Sequence, residues 1–362
     1  MKVVVAMSGG VDSSIAAALL KKQGCQVTGV TMKIWNGKAL PEEKRRHACY
    51  GSNEEEEIKD AGKVAQILGI PFHVLDLSQE YKTQVLDYFR QEYLLGRTPN
   101  PCLRCNRRVK FDALLKKSRD SGIVFDYFAS GHYTQLEYNE KRNRYLLKKA
   151  KDLSKDQSYF LSLLSQEQLS LCLFPLGQHN KQEVKKIAKD FALGVENKPE
   201  SQDFIAAGYS FLLGPARPGP ILDRQGNILG EHQGIHFYTI GQRRGLGISS
   251  KEPLYVGHID PEENTIIVGS KEELYQHELI ATGLNWIAIE ELKQPLKVKA
   301  KIRYLHQEAE AIVTPLDTDK VYVEFTKPQM AITPGQAIVF YHDDIVIGGG
   351  TIERNEVTAW RK

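Results

Sequence analysis

The stretch "KVVVAMSGGVDSSIAAALLKKQG", residues 2–24, constrains the fold more than any other part of the chain. Val3, Val4, Val5 and Ala6 make an unbroken apolar run, as expected of a strand buried on both faces. Ser8, Gly9 and Gly10 interrupt the run. Asp12, Ser13 and Ser14 then open an apolar segment that stops at Gly24. A strand, a glycine turn and a helix in that order leave backbone N–H groups at a helix N-terminus, which favours a bound anion. Ser8, Ser13 and Ser14 add hydroxyls, and Asp12 is a candidate Mg2+ ligand. The plainer alternative is a turn in which Asp12 or Ser13 merely caps the helix. The loop is not G-x-x-x-x-G-K-[ST], because no lysine follows the glycines, and it is not G-x-G-x-x-G.

Beyond this stretch the first two hundred residues alternate strand and helix. "QVTGVTMKIW" (26–35) and "IPFHVLDL" (70–77) read as strands. "EEEEIKDAGKVAQILG" (54–69) carries Ile58, Ala61, Val64, Ala65 and Leu68 at helical spacing. "TQVLDYFRQEYLLG" and "RVKFDALLKKSRDSG" read as amphipathic helices, and "VFDYFASGHY" as a strand ending in a turn. The rhythm predicts α/β architecture with a parallel sheet covered by helices on both faces. It breaks near 205. Residues 205–278 are glycine-rich, with short strand candidates "GPILD" and "TIIVGS". From 279 to 362 the pattern is all β, which predicts a small antiparallel barrel or sandwich. The expected division is therefore 1–204, 205–278 and 279–362.

A chain of 362 residues is long for one core, in keeping with several domains. A net charge of +3 permits a nucleic-acid partner without demanding one. No run of 18 apolar residues exists, so no membrane span is expected. The N-terminus lacks the apolar region of a signal peptide. Five cysteines, an odd number, do not make a disulfide framework and suggest a reducing cytoplasm.

The spacing of residues 8–13 resembles the PP-loop of N-type ATP pyrophosphatases. Further stretches follow in the order of one family: "TPNPCLRCNRRVKF" (98–111), "ASGHY" (129–133), "DLSKDQSYFL" (152–161), "GIHFYTIGQRRGLGI" (234–248) and "IRYLHQEAEA" (302–311). Together they resemble the tRNA-specific 2-thiouridylases of the MnmA/TrmU type. The resemblance implies a PP-loop catalytic domain, a small central domain and a C-terminal β-barrel. It implies that ATP is cleaved between its α and β phosphates to adenylate the C2 oxygen of the wobble uridine of tRNA. A sulfur nucleophile then displaces AMP to give 2-thiouridine.

By the same resemblance, Ala6, Met7, Ser8, Gly9, Gly10, Val11, Asp12, Ser13, Met32 and Gly131 form the nucleotide site. Cys105 is the nucleophile, and Arg104, Arg107 and Arg108 beside it are expected to lower its pKa or to meet phosphates. Asn100, Pro101 and Cys102 form the pocket for the target base, which must leave its stack to be reached. Lys155, Asp156 and Gln157 touch tRNA, as do His132, Arg303, Tyr304 and Gln336. Arg243 and Arg244 are either RNA contacts or an exposed basic turn. The implied cofactors are ATP and Mg2+. The implied partners are the anticodon region of tRNA and a sulfur-carrier protein or cysteine desulfurase. A cytoplasmic monomer is expected.

Two departures stand out. The family has aspartate at position 102, so this chain carries a C-x-x-C pair, Cys102 and Cys105. The family's second catalytic cysteine aligns with Ile205, and no cysteine lies within thirty residues of it. Three explanations remain open: Cys102 and Cys105 share persulfide and disulfide roles; the pair binds an iron–sulfur cluster, with Cys49 or Cys172 moving in; or the chain is a paralogue with altered sulfur input. Cys172, in "LSLCLFPL", reads as a core residue. Cys49, in "HACYGS", reads as a loop residue. Two other function classes share the loop: amidating enzymes, which need no cysteine at 105, and a tRNA-binding protein that has lost catalysis.

Overall fold

The computed structural model describes residues 1–37, 48–195, 198, 203–206, 209–353 and 360. The chain forms two compact units. The first comprises Met1–Leu86, Pro101–Tyr209 and Asp344–Val346; the second comprises Asp87–Asn100, Ser210–Asp343 and Ile347–Lys362.

The first unit is built on five parallel strands, in the spatial order Phe72–Asp76, Gln26–Lys33, Lys2–Ala6, Tyr127–Ala129 and Cys172–Leu173. Val3, Val4 and Val5 are at most 1% exposed in the central strand, which explains the unbroken apolar run. Each such burial contributes about 1.5–3 kcal/mol. The helix Val11–Lys22 turns Ile15, Ala16, Ala17, Ala18 and Leu20 inward, and Val184 and Ala188 of the helix Lys181–Asp190 share that core. Chain order reverses at the central strand, with Gln26–Lys33 on one side and Tyr127–Ala129 on the other. Such a switch point leaves a crevice at the C-terminal ends of the strands. The expected α/β reading of this half is what the structure shows.

Two short elements in this unit carry no clear sequence pattern. Residues 135–139 and 144–148 form an antiparallel hairpin. Ala48–Tyr50 pairs in parallel with Asp203–Ile205, placing Ala48 beside Asp203 and Tyr50 beside Ile205.

The second unit holds two sheets. Gly219–Leu222, Ile228–His232, Tyr255–Asp260 and Thr265–Gly269 form a four-stranded sheet around Ile221, Val256, Ile259, Ile266 and Val268. Six further strands run from Tyr275 to Ile352. The first, Tyr275–Trp286, pairs with both Lys320–Met330 and the last, Ile345–Ile352, so the sheet closes on itself. Closure removes the exposed edges that an open sheet would leave. Of the two architectures expected for the C-terminal part, the barrel is the one formed.

Candidate active site

The turn after the central strand is an uncapped helix N-terminus. Gly10 is the N-cap residue, and no side-chain cap hydrogen bond is made there among the described residues. The capping alternative for Asp12 or Ser13 is therefore not realised. Ser13 instead accepts a hydrogen bond from the Ser8 backbone N–H at 3.1 Å, and its hydroxyl lies 3.3 Å from that of Ser8. Ser14 donates to the Gly10 carbonyl at 2.8 Å. These bonds lock the loop while leaving helix N–H groups for an anion.

Glycine is required at two positions here. Gly9 has φ +73°, and a Cβ there would collide with the carbonyl of Glu57. Gly131, just past the strand Tyr127–Ala129, lies so close to the helix that a Cβ would sit 2.6 Å from the Asp12 carbonyl carbon and the Ser13 nitrogen. Among the other expected nucleotide residues, Met7 and Val11 are buried, so their side chains serve the core. Met32 is half-buried near the end of its strand, beside Leu75.

Two lysines with no counterpart in the sequence reading reach this loop. Lys181 donates to both carboxylate oxygens of Asp12, at 2.8 and 2.9 Å. Tyr133 donates its hydroxyl to the same carboxylate at 2.8 Å, and the Lys181 ammonium lies 5.6 Å from the Tyr133 ring centroid. A capping box fixes the helix start that delivers Lys181. Asn180 accepts from the Glu183 N–H, and Glu183 accepts from the Asn180 N–H, both at 2.9 Å. Lys198 donates to the Gly9 carbonyl at 3.2 Å and pairs with Asp60. Burial pushes the neighbouring Glu57 carboxyl up to about 7, against the pull of Lys198 and with the push of Glu54, Glu56 and Asp60.

The thiols lie on another element of the same unit. Cys102 and Cys105 stand three residues apart on the helix Pro101–Cys105. Cys102 is exposed and Cys105 is half-buried, with its sulfur hemmed in by protein. Burial pushes the Cys105 thiol up to about 11. Lys110 opposes the shift and the Cys49 thiol adds to it. This corrects the expectation that Arg104, Arg107 and Arg108 lower the Cys105 pKa. Arg104 is turned to the backbone and side-chain oxygens of Gln84, at 3.1 and 3.2 Å. Burial, then the charges of Arg108 and Arg104, lowers Arg107 itself. The helix continues through wide π-type turns at Asn106–Ala113, and Gln168 donates to the freed carbonyls of Arg107 and Phe111, at 2.8 and 3.0 Å. Cys172 is buried and its thiol is raised by burial alone, as expected of a core residue.

Comparison with known proteins decides what kind of chain carries this arrangement. A family model described as the tRNA methyl transferase HUP domain matches residues 1–207. Models described as the tRNA methyl transferase PRC-barrel domain and the aminomethyltransferase beta-barrel domain match 211–270 and 276–352. The tRNA-specific 2-thiouridylase MnmA 2 of Thermoanaerobacter pseudethanolicus is 50% identical, over 98% of each chain. The MnmA proteins of Endomicrobium trichonymphae and Acetivibrio thermocellus are 48% and 46% identical, each over 97% of this chain and 99% of the relative. The chain belongs to the MnmA family of tRNA-specific 2-thiouridylases.

Several residues that MnmA resemblance assigns to tRNA have structural partners. Asp156 accepts from the Ala150 N–H at 2.9 Å and from the Ser158 hydroxyl at 2.7 Å. Gln157 accepts from the Tyr133 N–H at 2.9 Å. Lys155 beside them is half-buried. His132 lies against Phe111 and Phe174 and 2.7 Å from the Ser130 hydroxyl; burial, then Lys110, holds its imidazole well below the usual range. In the second unit, Arg303 donates to the Met330 carbonyl at 2.8 Å, and Lys301 lies over the Tyr304 ring. Gln336 donates to the Thr98 carbonyl at 2.8 Å and so holds the chain that leads to Asn100.

The MnmA site residues do not form a metal cage. Both Asp12 oxygens are engaged by Lys181, and among the described residues no three His, Cys, Asp or Glu side chains gather to hold a metal ion. The fit fails for a resident Mg2+ and for an iron–sulfur cluster alike, and no step below runs through either.

Proposed function

We propose that this protein is an ATP-dependent tRNA 2-thiouridylase. The observation that carries the reading is an uncapped helix N-terminus, tied by Lys181 and Tyr133, in the same unit as the Cys105 helix. The loop residues Ala6 to Ser13, with Met32 and Gly131, hold ATP. Backbone N–H groups and nearby lysines stabilise the pyrophosphate as its charge grows in the transition state. AMP is left on the C2 oxygen of the wobble uridine. A uridine carbonyl loses its oxygen poorly, and adenylation turns that oxygen into a leaving group.

Cys105 then delivers sulfur to C2. Cys102, on the same helical turn, is the accessory thiol of that step and lines the base pocket with Asn100 and Pro101. In a persulfide-loaded Cys105 the outer sulfur, and not the cysteine sulfur itself, is the nucleophile that attacks C2. Lys155, Arg303 and Tyr304 contact tRNA directly. Asp156, Gln157, His132 and Gln336 shape the loops that do so. We assign residues 1–204 to chemistry and the domains 205–278 and 279–362 to gripping tRNA, in a cytoplasmic monomer fed by a sulfur-carrier protein or cysteine desulfurase. The name of the matching family model mentions methyl transfer, but a half-buried thiol three residues from an exposed one serves sulfur transfer better.

Cys105→Ser tests the reading. Thiolated tRNA, seen as a retarded band on a mercury-containing gel, disappears, while ATP-dependent pyrophosphate release in the presence of tRNA continues. Continued thiolation by this variant overturns the assignment.

A further inference from the structure

The helix that carries Cys105 does not stay α. Pro101–Cys105 passes into wide turns over Asn106–Ala113, and regular helix resumes at Leu114. The Leu114 N–H reaches the Val109 carbonyl, five residues back, where an α-helix would use Lys110. In an α-helix a side chain faces those three and four residues on, which for Cys105 are Arg108 and Val109. A turn closed over five residues brings Lys110 there instead. The side chains agree: Arg108 is exposed, Val109 is buried, and Lys110 is the cation whose charge bears on the Cys105 thiol. Returning one wide turn to α geometry would rotate Cys105 by about 100° around the helix axis, and slide it by about 1.5 Å, relative to the residues that follow.

Wide turns give up regular helix pairing and are rare outside functional sites, so something must hold these. Gln168 does. Its amide nitrogen donates to the carbonyls of Arg107 and Phe111, at 2.8 and 3.0 Å, and so spans the stretch that contains Lys110. Its amide oxygen accepts from the Ser165 N–H at 3.0 Å, and its own backbone N–H donates to the Ser165 hydroxyl at 3.1 Å. This capping box starts the helix Gln166–Ser170 and fixes the Gln168 side chain in one orientation. Arg104 donates to the Gln84 carbonyl at 3.1 Å, and Asn106 to the Phe160 carbonyl at 3.1 Å. Those bonds anchor the residues on either side of Cys105; the Gln168 bonds anchor the turns that follow.

From the five-residue turn and the two amide bonds across it, we infer that Gln168 is a positioning residue for sulfur transfer: it holds the wide turns in place and so keeps Lys110 facing Cys105. The inference rests on the proposed thiolation. Sulfur carried on Cys105 attacks as an anion, and an ammonium fixed beside it favours that form. Gln168 acts through the helix, by setting the rotation at which the sulfur and the ammonium meet.

The test compares three variants of the full-length protein. Gln168→Leu removes both donors. Gln168→Glu removes the amide donors and keeps the capping box, which glutamate completes as well as glutamine. Ser165→Ala weakens the cap and leaves the donors. In both Gln168 variants kcat for thiolation falls about tenfold or more, while KM for tRNA and ATP-dependent pyrophosphate release stay within about twofold of wild type. Ser165→Ala thiolates as wild type does. The second reading is alkylation of Cys105 against pH in the sulfur-free protein, followed by peptide mapping. Lys110→Ala displaces the profile to higher pH in the wild-type background and has no effect in the Gln168→Leu background, as for residues that act through one another. If Gln168→Leu does not fold, Gln168→Glu carries the same comparison. An equal displacement in both backgrounds, or wild-type thiolation by both Gln168 variants, overturns the inference and leaves the thiolation reading standing. So does an equal loss in Ser165→Ala, which would reduce Gln168 to part of a helix cap. If the wild-type protein releases no pyrophosphate and thiolates no tRNA, the functional reading itself has failed, and the alkylation profiles still decide whether Gln168 sets Lys110 against Cys105.

Discussion

Lys181 grips both carboxylate oxygens of Asp12, at 2.8 and 2.9 Å, across 169 residues of sequence. The ammonium and the carboxylate are 14% and 28% exposed, so solvent screens the pair only in part. The contact ties the N-terminal loop to the helix Lys181–Asp190 and sets a positive charge beside an anion-binding turn.

The two residues should therefore act as a unit. Asp12→Ala and Lys181→Ala each slow ATP-dependent pyrophosphate release by about tenfold or more, roughly 1.4 kcal/mol of barrier. Asp12→Ala leaves tRNA affinity nearly intact. The double variant is no slower than the slower single one, as for residues that work together. Multiplying effects would show that each residue acts alone, and normal release by Asp12→Ala would remove the loop from the chemistry.

Burial raises the Cys105 thiol to about 11, and alkylation follows the thiolate. In the sulfur-free protein, iodoacetamide modification of Cys105 is slow at pH 7.5 and climbs toward pH 11. Lys110 holds the thiol down against burial, so Lys110→Ala moves the profile to still higher pH. A midpoint at the ordinary thiol value would mean that the sulfur is not enclosed.

Glu57, whose backbone carbonyl packs against Gly9, carries a carboxyl raised by burial. Its folded pKa of about 7 lies above the ordinary 4.5, so the folded protein holds a proton that the unfolded chain releases. That contribution to stability is complete below about 4.5 and is lost as pH rises through 7. Glu57→Gln should make the protein more stable than wild type by about 1–3 kcal/mol at pH 8, with the gain shrinking toward zero at acid pH. Urea unfolding across that range reads it, and a difference independent of pH contradicts it.

Binding of tRNA should depend steeply on salt despite the small net charge, through the basic groups at 104–110, 148–155 and 243–244. Arg243 and Arg244 are both exposed. Replacing both by alanine should lower the slope of log K against log salt by about 1–2, since each phosphate neutralised adds about 0.7–0.9. An unchanged slope in a filter-binding titration would make them an ordinary exposed turn.

The strand, loop and first helix were legible because their pattern is local: a valine run, two glycines and an apolar helix face. The closing barrel was legible from alternation. What escaped depends on distance along the chain. Lys181 is one lysine in "NKQEVKK", and only the fold brings it to Asp12. The strand Ala48–Tyr50 is too short to show a period, and its partner lies at 203–205. The arginines beside Cys105 looked like its electrostatic partners by adjacency. Helix geometry turns Arg104 to Gln84, while Lys110, farther along the chain, bears on the thiol. His132 looked like an RNA contact, but its ring is packed against Phe111 and Phe174.

The central claim is that ATP activates the very oxygen that sulfur replaces. It is tested most directly with tRNA carrying 18O at C2 of the wobble uridine, incubated with protein, ATP and a persulfide donor. The account predicts one 18O in each AMP, none in pyrophosphate, and one AMP for each thiolated tRNA. Unlabelled AMP alongside thiolated tRNA would contradict it.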